Sequence, residues 1–426
     1  MDRLIDLHAH PYLKVHNLPY LANTFHAYTY SGAHWNPLGF RYQYRNLRRS
    51  PVKVLLNAHY VIERGFVLRG VKLPAQAVLA SLSPRRTLSM ATIDPWKSLL
   101  RQMDGLERAI TNTNRFNTLG GPRLRLIKHF ADIDTLAGDE IAVAHAIEGA
   151  HVFGYSIGEE PSPELFWERT KKRLHYLADR GVTMLTLAHF WDQPFFPQTD
   201  STELIPKMKN GRVVRGRDNL AVEMKRATWK LGARDDLGER LLREMLELGI
   251  VADLSHMQEH ARYAVYDIAA QYGRPVVLSH VGLKRFFDHE YNLSDDEVLR
   301  IHKLGGVVGL IFSKRLLQEP IKLYKDDGKG IPLLVDNMRH IKHLTGDVSA
   351  IGIGTDFDGM THPLRDCYNP SQLHRVGEAM AKHFNDEEID AIFYGNALRL
   401  LENGWGARPE AAAKAKHKTK ATRRTG

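Results

Sequence analysis

The chain has 426 residues, of which 43% are hydrophobic and 25% charged, a composition that excludes disordered and fibrous classes and suits a globular enzyme. No apolar run reaches the 18 or so residues of a membrane span, and the single cysteine, Cys367, leaves no internal disulfide to expect. Much of the net charge of +10 sits in residues 407–426, with seven Lys/Arg against one Glu, and the remainder holds 52 basic and 48 acidic residues.

That tail has no apolar face and is expected to be disordered, so no specific nucleic-acid partner and no membrane partner is expected. The start, Met1-Asp2-Arg3-Leu4, runs almost directly into a strand pattern and reads as lacking a secretory signal. A reducing cytoplasm is the expected compartment.

Arg3-Leu4-Ile5 opens a short apolar strand that ends in Asp6-Leu7-His8-Ala9-His10-Pro11. Side chains two apart on a strand share a face, so His8 and His10 are expected to project together. Residues 12–74 show little periodicity and read as an elaborated first βα loop, with some helix around 52–64. Residues 75–82 are the expected second strand. Apolar positions at helical spacing over 95–114 predict an amphipathic helix, with Asp94 as N-cap and Pro95 at its first position.

A third strand is predicted over 141–149, with Ala142, Ala144, Ala146 and Glu148 on one face and His145 on the other, towards helices. The fourth covers 182–189 and ends at His189. The fifth covers 249–256 and ends at His256. The sixth covers 275–280 and ends at His280, the seventh covers 306–311, and the eighth covers 350–359 and carries Asp356. Helical patterns separate them, and further helical segments near 371–383, 386–394 and 396–402 close the chain. Such alternation predicts βα units and a parallel sheet. Eight units predict a (β/α)8 TIM-type barrel over residues 1–406, with the elaborated N-terminal βα loop and extra C-terminal helices. An open doubly wound sheet does not bring so many strand ends to one point.

Those ends carry His8, His10, Glu148, His189, His256, His280 and Asp356. Lone histidines at strand ends are common and mostly hydrogen-bonded, but six polar endings at one rim point to metal chemistry. Imidazole and carboxylate suit a divalent ion such as zinc. A carboxylate can bridge two cations, which can share a hydroxide and clamp a reacting oxygen. One ion is assigned His8, His10 and Glu148, the other Glu148, His256 and His280. Asp356 is expected to shuttle the proton from the hydroxide to the leaving nitrogen, and His189 to steady the developing oxyanion. Gly352 and Gly354, on the face of Asp356, are expected to leave room beside the metals.

The motifs Ala146-Ile147-Glu148-Gly149-Ala150-His151, Leu185-Thr186-Leu187-Ala188-His189, Asp253-Leu254-Ser255-His256, Val277-Leu278-Ser279-His280, Gly354-Thr355-Asp356-Phe357-Asp358-Gly359 and Tyr394-Gly395-Asn396-Ala397-Leu398-Arg399 resemble the membrane (renal) dipeptidase family of metallopeptidases, within the amidohydrolase superfamily. The resemblance runs from about residue 1 to 404. It implies a (β/α)8 barrel, a binuclear zinc centre and hydrolysis of a dipeptide or related small amide. By position it makes Glu148 the bridging ligand, His256 and His280 ligands of the second metal, His189 a substrate contact and Asp356 the proton shuttle.

Two departures stand out. The family's His-X-Asp is here His8-Ala9-His10, the form common in the wider superfamily. The arginine some ten residues past the sixth-strand histidine, which anchors a substrate carboxylate, is missing from 287–292, where His289 and Tyr291 stand. Lys284, Arg285 and the loop cations Lys207, Lys209, Arg212, Lys314 and Arg315 are the substitutes at hand. The expected partner is therefore a small-molecule substrate whose carboxylate is absent, displaced or held by a loop. A homodimer is compatible with this reading. The alternatives are a TatD-like metal-dependent nuclease or phosphoesterase, and a lactonase or deacylase of the same superfamily.

Overall fold

The structure is a computed structural model that describes residues 3–17, 24–26, 32, 39–63, 94–117, 120–155, 157–190, 193–199, 207–209, 212–214, 237–318, 330–359 and 363–406. Eight parallel strands pair in a ring. They are β1 (Leu4–Ala9), β2 (Val52–Tyr60), β3 (Glu140–Glu148), β4 (Met184–Thr186), β5 (Val251–Asp253), β6 (Val276–Val281), β7 (Val307–Leu310) and β8 (Ile351–Ile353). Each pairs with the next, and β1 closes the ring on β8 through Asp6 opposite Ile353. The (β/α)8 barrel expected from the alternation is the observed fold. A short extra strand, Arg123–Leu126, lies beside β3.

Seven strands lie where the sequence pattern puts them. The second does not: residues 52–60, read as partly helical, form β2. Both faces of β2 are buried, so its alternation carries no polar contrast, and Val52 and Val54 favour an extended backbone. The expected second strand over 75–82 lies outside the described residues, as does the tail 407–426.

Two apolar layers hold the barrel. Ile5, Leu7, Val54, Leu56, Ala142, Ala144, Ala146, Met184, Val251, Val277 and Val307 form the interior cluster. Leu400, Leu401 and Trp405, at and after the C-terminal helix Asn396–Gly404, join it from below. Alternate residues such as Leu4, Leu55, Val143, Ile147 and Leu278 meet the surrounding helices instead. Helix Pro95–Arg115 starts as expected, with Asp94 accepting from the Trp96 amide. Asn396 donates to the carbonyls of Val348 and Ile351 and so ties the last helix to β8.

Candidate metal centre

Alternation along β1 puts Ile5 and Leu7 inside the barrel, which leaves His8 and His10 on the outer face. A bulge reverses this. Asp6 lies opposite Leu55 and Ala9 opposite Asn57, so three steps of β1 match two of β2. The extra residue flips the pleat, and both histidines turn to the interior. The same device recurs in β6: Leu278 lies opposite Val308 but Val281 opposite Leu310. Ser279 and His280 thereby both serve the inner face. In β3, Ala142, Ala144 and Ala146 stack inward and Glu148 ends the same column.

Five imidazole Nε2 atoms surround the Glu148 carboxylate. His8 stands at 3.3 Å, His10 at 3.4 Å, His256 at 3.4 Å, His189 at 3.5 Å and His280 at 3.6 Å. The His8 and His10 Nε2 atoms are 3.1 Å apart, and those of His256 and His280 are 3.0 Å apart. Asp356 Oδ1 lies 3.3 Å from His10 Nε2. All seven strand-end residues read from the sequence thus meet at one rim. Asp356 is the most open of them, its side chain 14% exposed against 1–7% for the six others.

The far nitrogens are tied back. His10 Nδ1 meets the Ala58 carbonyl at 3.0 Å, which can only accept, so His10 carries its proton there and points a lone pair inward. His189 Nδ1 meets the Glu63 carboxylate at 3.1 Å. Ligating histidines are held in this way in metal sites. Burial alone would raise the Glu148 carboxyl, but His189 and His10 hold it well below the usual carboxylate range. Burial depresses His10 and His189, yet the carboxylates around them leave both above the usual histidine range. His256 and His280 are pushed down by burial and by neighbouring imidazoles. Such crowding of buried donors round one carboxylate fits divalent cations. His8, His10 and Glu148 form one ligand group, and Glu148, His189 and His256 another. A third group, His8, Asp253 and His280, is different. Both Asp253 oxygens accept from Thr186 Oγ1, Ser255 and Ser279, which makes Asp253 an orienting group.

Glu63, three residues past β2, was not legible as part of the site. It is fully buried and accepts from His189, the Phe190 amide and Tyr60. Burial opposes its ionisation, but His189 and His151 overcome it and bring the carboxyl to about 2. The signal was an acid just past a strand, hidden because that strand read as helix.

His256 and Asp356 have φ of 66° and 51°, a region side chains rarely adopt outside strained functional turns. Gly354 does not leave room for metals as expected: a Cβ there would lie 1.6 Å from the Ser279 carbonyl oxygen, so the glycine serves close strand approach. A Cβ on Gly352 would strike Val307. The glycine that clears the site is Gly359, where a Cβ would meet Asp356 and His10 at 2.3 Å.

Tyr291 stands where the resemblance leads one to expect a carboxylate-anchoring arginine. Its hydroxyl donates to the His280 carbonyl at 3.0 Å, and its ring meets that of His256 edge-on. Lys284 is paired with Glu259 at 2.6 Å. Lys314 is buried on the short helix Lys314–Leu317. The side chains of Lys207, Lys209 and Arg212 lie outside the described residues. His145 faces helices as expected, its Nε2 3.4 Å from Glu107.

Residues 220–414 match the family model for membrane dipeptidase (peptidase family M19). An uncharacterized dipeptidase of Schizosaccharomyces pombe is 28% identical over 187 residues, 44% of this chain and 38% of that protein. A second from the same yeast is 26% identical over 263 residues, 61% of this chain and 52% of that protein. The chain thus spans about half or less of these relatives' lengths. A metallopeptidase from Rhodobacter sphaeroides, solved with a phosphinate mimic of the dipeptide L-Ala-D-Ala, superposes with a TM-score of 0.64 at 18% identity, over 95% of this chain and 99% of that one. At that identity the likeness is one of fold.

Proposed function

From the kinship of this chain with the membrane dipeptidases, peptidase family M19, we propose that it is a metal-dependent hydrolase with two divalent ions, zinc the best fit to its donors, that cleaves the amide bond of a dipeptide or related small amide. One observation carries the reading: five Nε2 atoms within 3.6 Å of a single buried carboxylate. His8, His10 and Glu148 would hold one ion, and Glu148, His256 and His280 the other. A bound pair supplies an acidified water and an electrophilic clamp.

The chain's own residues supply the rest. Asp356, at the open edge of the cluster, takes a proton from the attacking water and returns it to the leaving nitrogen. His189, held by Glu63 through Nδ1 and with Nε2 3.5 Å from Glu148, would steady a developing oxyanion. Tyr291 fills the place of a carboxylate anchor and gives its proton to a backbone carbonyl. Substrates with a free C-terminal carboxylate are therefore disfavoured.

Elemental analysis of reconstituted protein should find close to two divalent ions per chain, and Glu148→Gln should weaken both, since an amide has one metal-ligating oxygen and no charge. Absence of specific metal after reconstitution would refute the centre. Activity on dipeptides but not on single-stranded DNA separates this reading from the nuclease alternative. Comparison of a dipeptide with its C-terminal amide tests specificity. The amide should be the better substrate. A tenfold higher kcat/KM for the free acid, about 1.4 kcal/mol, would show that a carboxylate anchor exists.

A further inference from the structure

A serine hydroxyl has one proton and two lone pairs. The Ser279 hydroxyl has three partners at bonding distance: Asp253 Oδ2 at 2.6 Å, His280 Nδ1 at 2.8 Å and His8 Nδ1 at 3.0 Å. Ser255 Oγ lies farther, at 3.4 Å, and donates to Asp253 Oδ1 instead. Asp253 also accepts from Thr186 Oγ1 and from the Ser255 and Ser279 amides. Among so many donors it acts as an acceptor, and the Ser279 proton goes to it. Both Ser279 lone pairs then remain for the imidazoles. His8 and His280 must each carry a proton on Nδ1, and each turns its Nε2 atom towards Glu148.

We propose that Ser279 is a positioning residue shared by the two cation sites, one oxygen atom fixing the tautomer and ring angle of a ligand on each side. His8 belongs to the group with His10, and His280 lies against His256. The β6 bulge makes this reachable, because it turns Ser279 and its neighbour His280 to the same face. The two rings lie close together, centroids 3.9 Å apart and planes tilted by 35°. The purpose of the arrangement rests on the metal-hydrolase reading, whereas its tautomers do not.

Two measurements test it. Nitrogen-15 spectra of imidazole-labelled, metal-free wild-type protein should show His8 and His280 protonated at Nδ1. A ring without its Nδ1 proton, the neutral Nε2–H tautomer, in either residue overturns the proposal. In competition with a chelator, Ser279→Ala should lose about 10–100-fold in zinc affinity at both sites, the usual cost of removing an outer partner. Ser255→Ala, which removes a hydroxyl serving the same carboxylate, should lose much less. Loss at one site only, no loss, or equal loss in both variants overturns the proposal. If wild-type protein takes up no zinc, the functional reading fails, and the spectra alone still decide the tautomers.

Discussion

Asp356 combines three properties at one residue: a left-handed backbone, the greatest exposure in the cluster and a carboxylate 3.3 Å from His10. A group that moves a proton needs that reach. Asp356→Asn should keep most metal affinity while turnover falls about 10²–10⁴-fold, the usual range for a lost general acid–base. Near-normal turnover on a good substrate would remove Asp356 from that role. The histidines set a pH dependence of their own. With His10 raised above the ordinary histidine value of 6.5, protons compete with a cation at its Nε2 at and above that pH. Apparent zinc affinity should therefore keep climbing as pH rises through 6.5 and beyond. A titration flat from pH 6 to 8 would contradict it. In the metal-free fold, stability from the raised His10 is present below pH 6.5 and is lost as pH rises through its folded value. That from Glu148 is present above its ordinary 4.5 and is lost as pH falls through its depressed one.

Strands made the site legible, and their irregularities hid part of it. An apolar run with a polar ending marks a barrel strand, so Glu148, His189, His256 and His280 could be read one by one. Residues 52–60 read as helix because burial on both faces erases the alternation, and this hides Glu63, the partner of His189. The bulges in β1 and β6 leave no mark in composition. They decide on which side of the wall His8, His10 and His280 stand. Glycines misled in the other direction. Gly354 reads as vacant space near the metals, yet its hydrogen faces the Ser279 carbonyl. Gly354→Ala should therefore destabilise the fold by about 1–3 kcal/mol or more, as overpacking does, with a matching drop in the thermal midpoint. An unchanged midpoint would mean that β6 and β8 can separate freely, contrary to the packing.

At the scale of the molecule, sequence order and spatial order agree around the whole barrel, and the exception is the seam. Asp6 accepts from the Thr355 amide and hydroxyl, 349 positions away, and holds the first strand to the last. His8 and His10 lie on one side of that seam and Asp356 on the other. For a chain emerging from a ribosome, the order of synthesis matters. His8 and His10 are made before Asp356, which follows His10 only after 346 further positions. No shorter nascent chain can contain the complete site. The step that seals the last strand against the first would also complete the proposed centre, so a half-made chain would lack it.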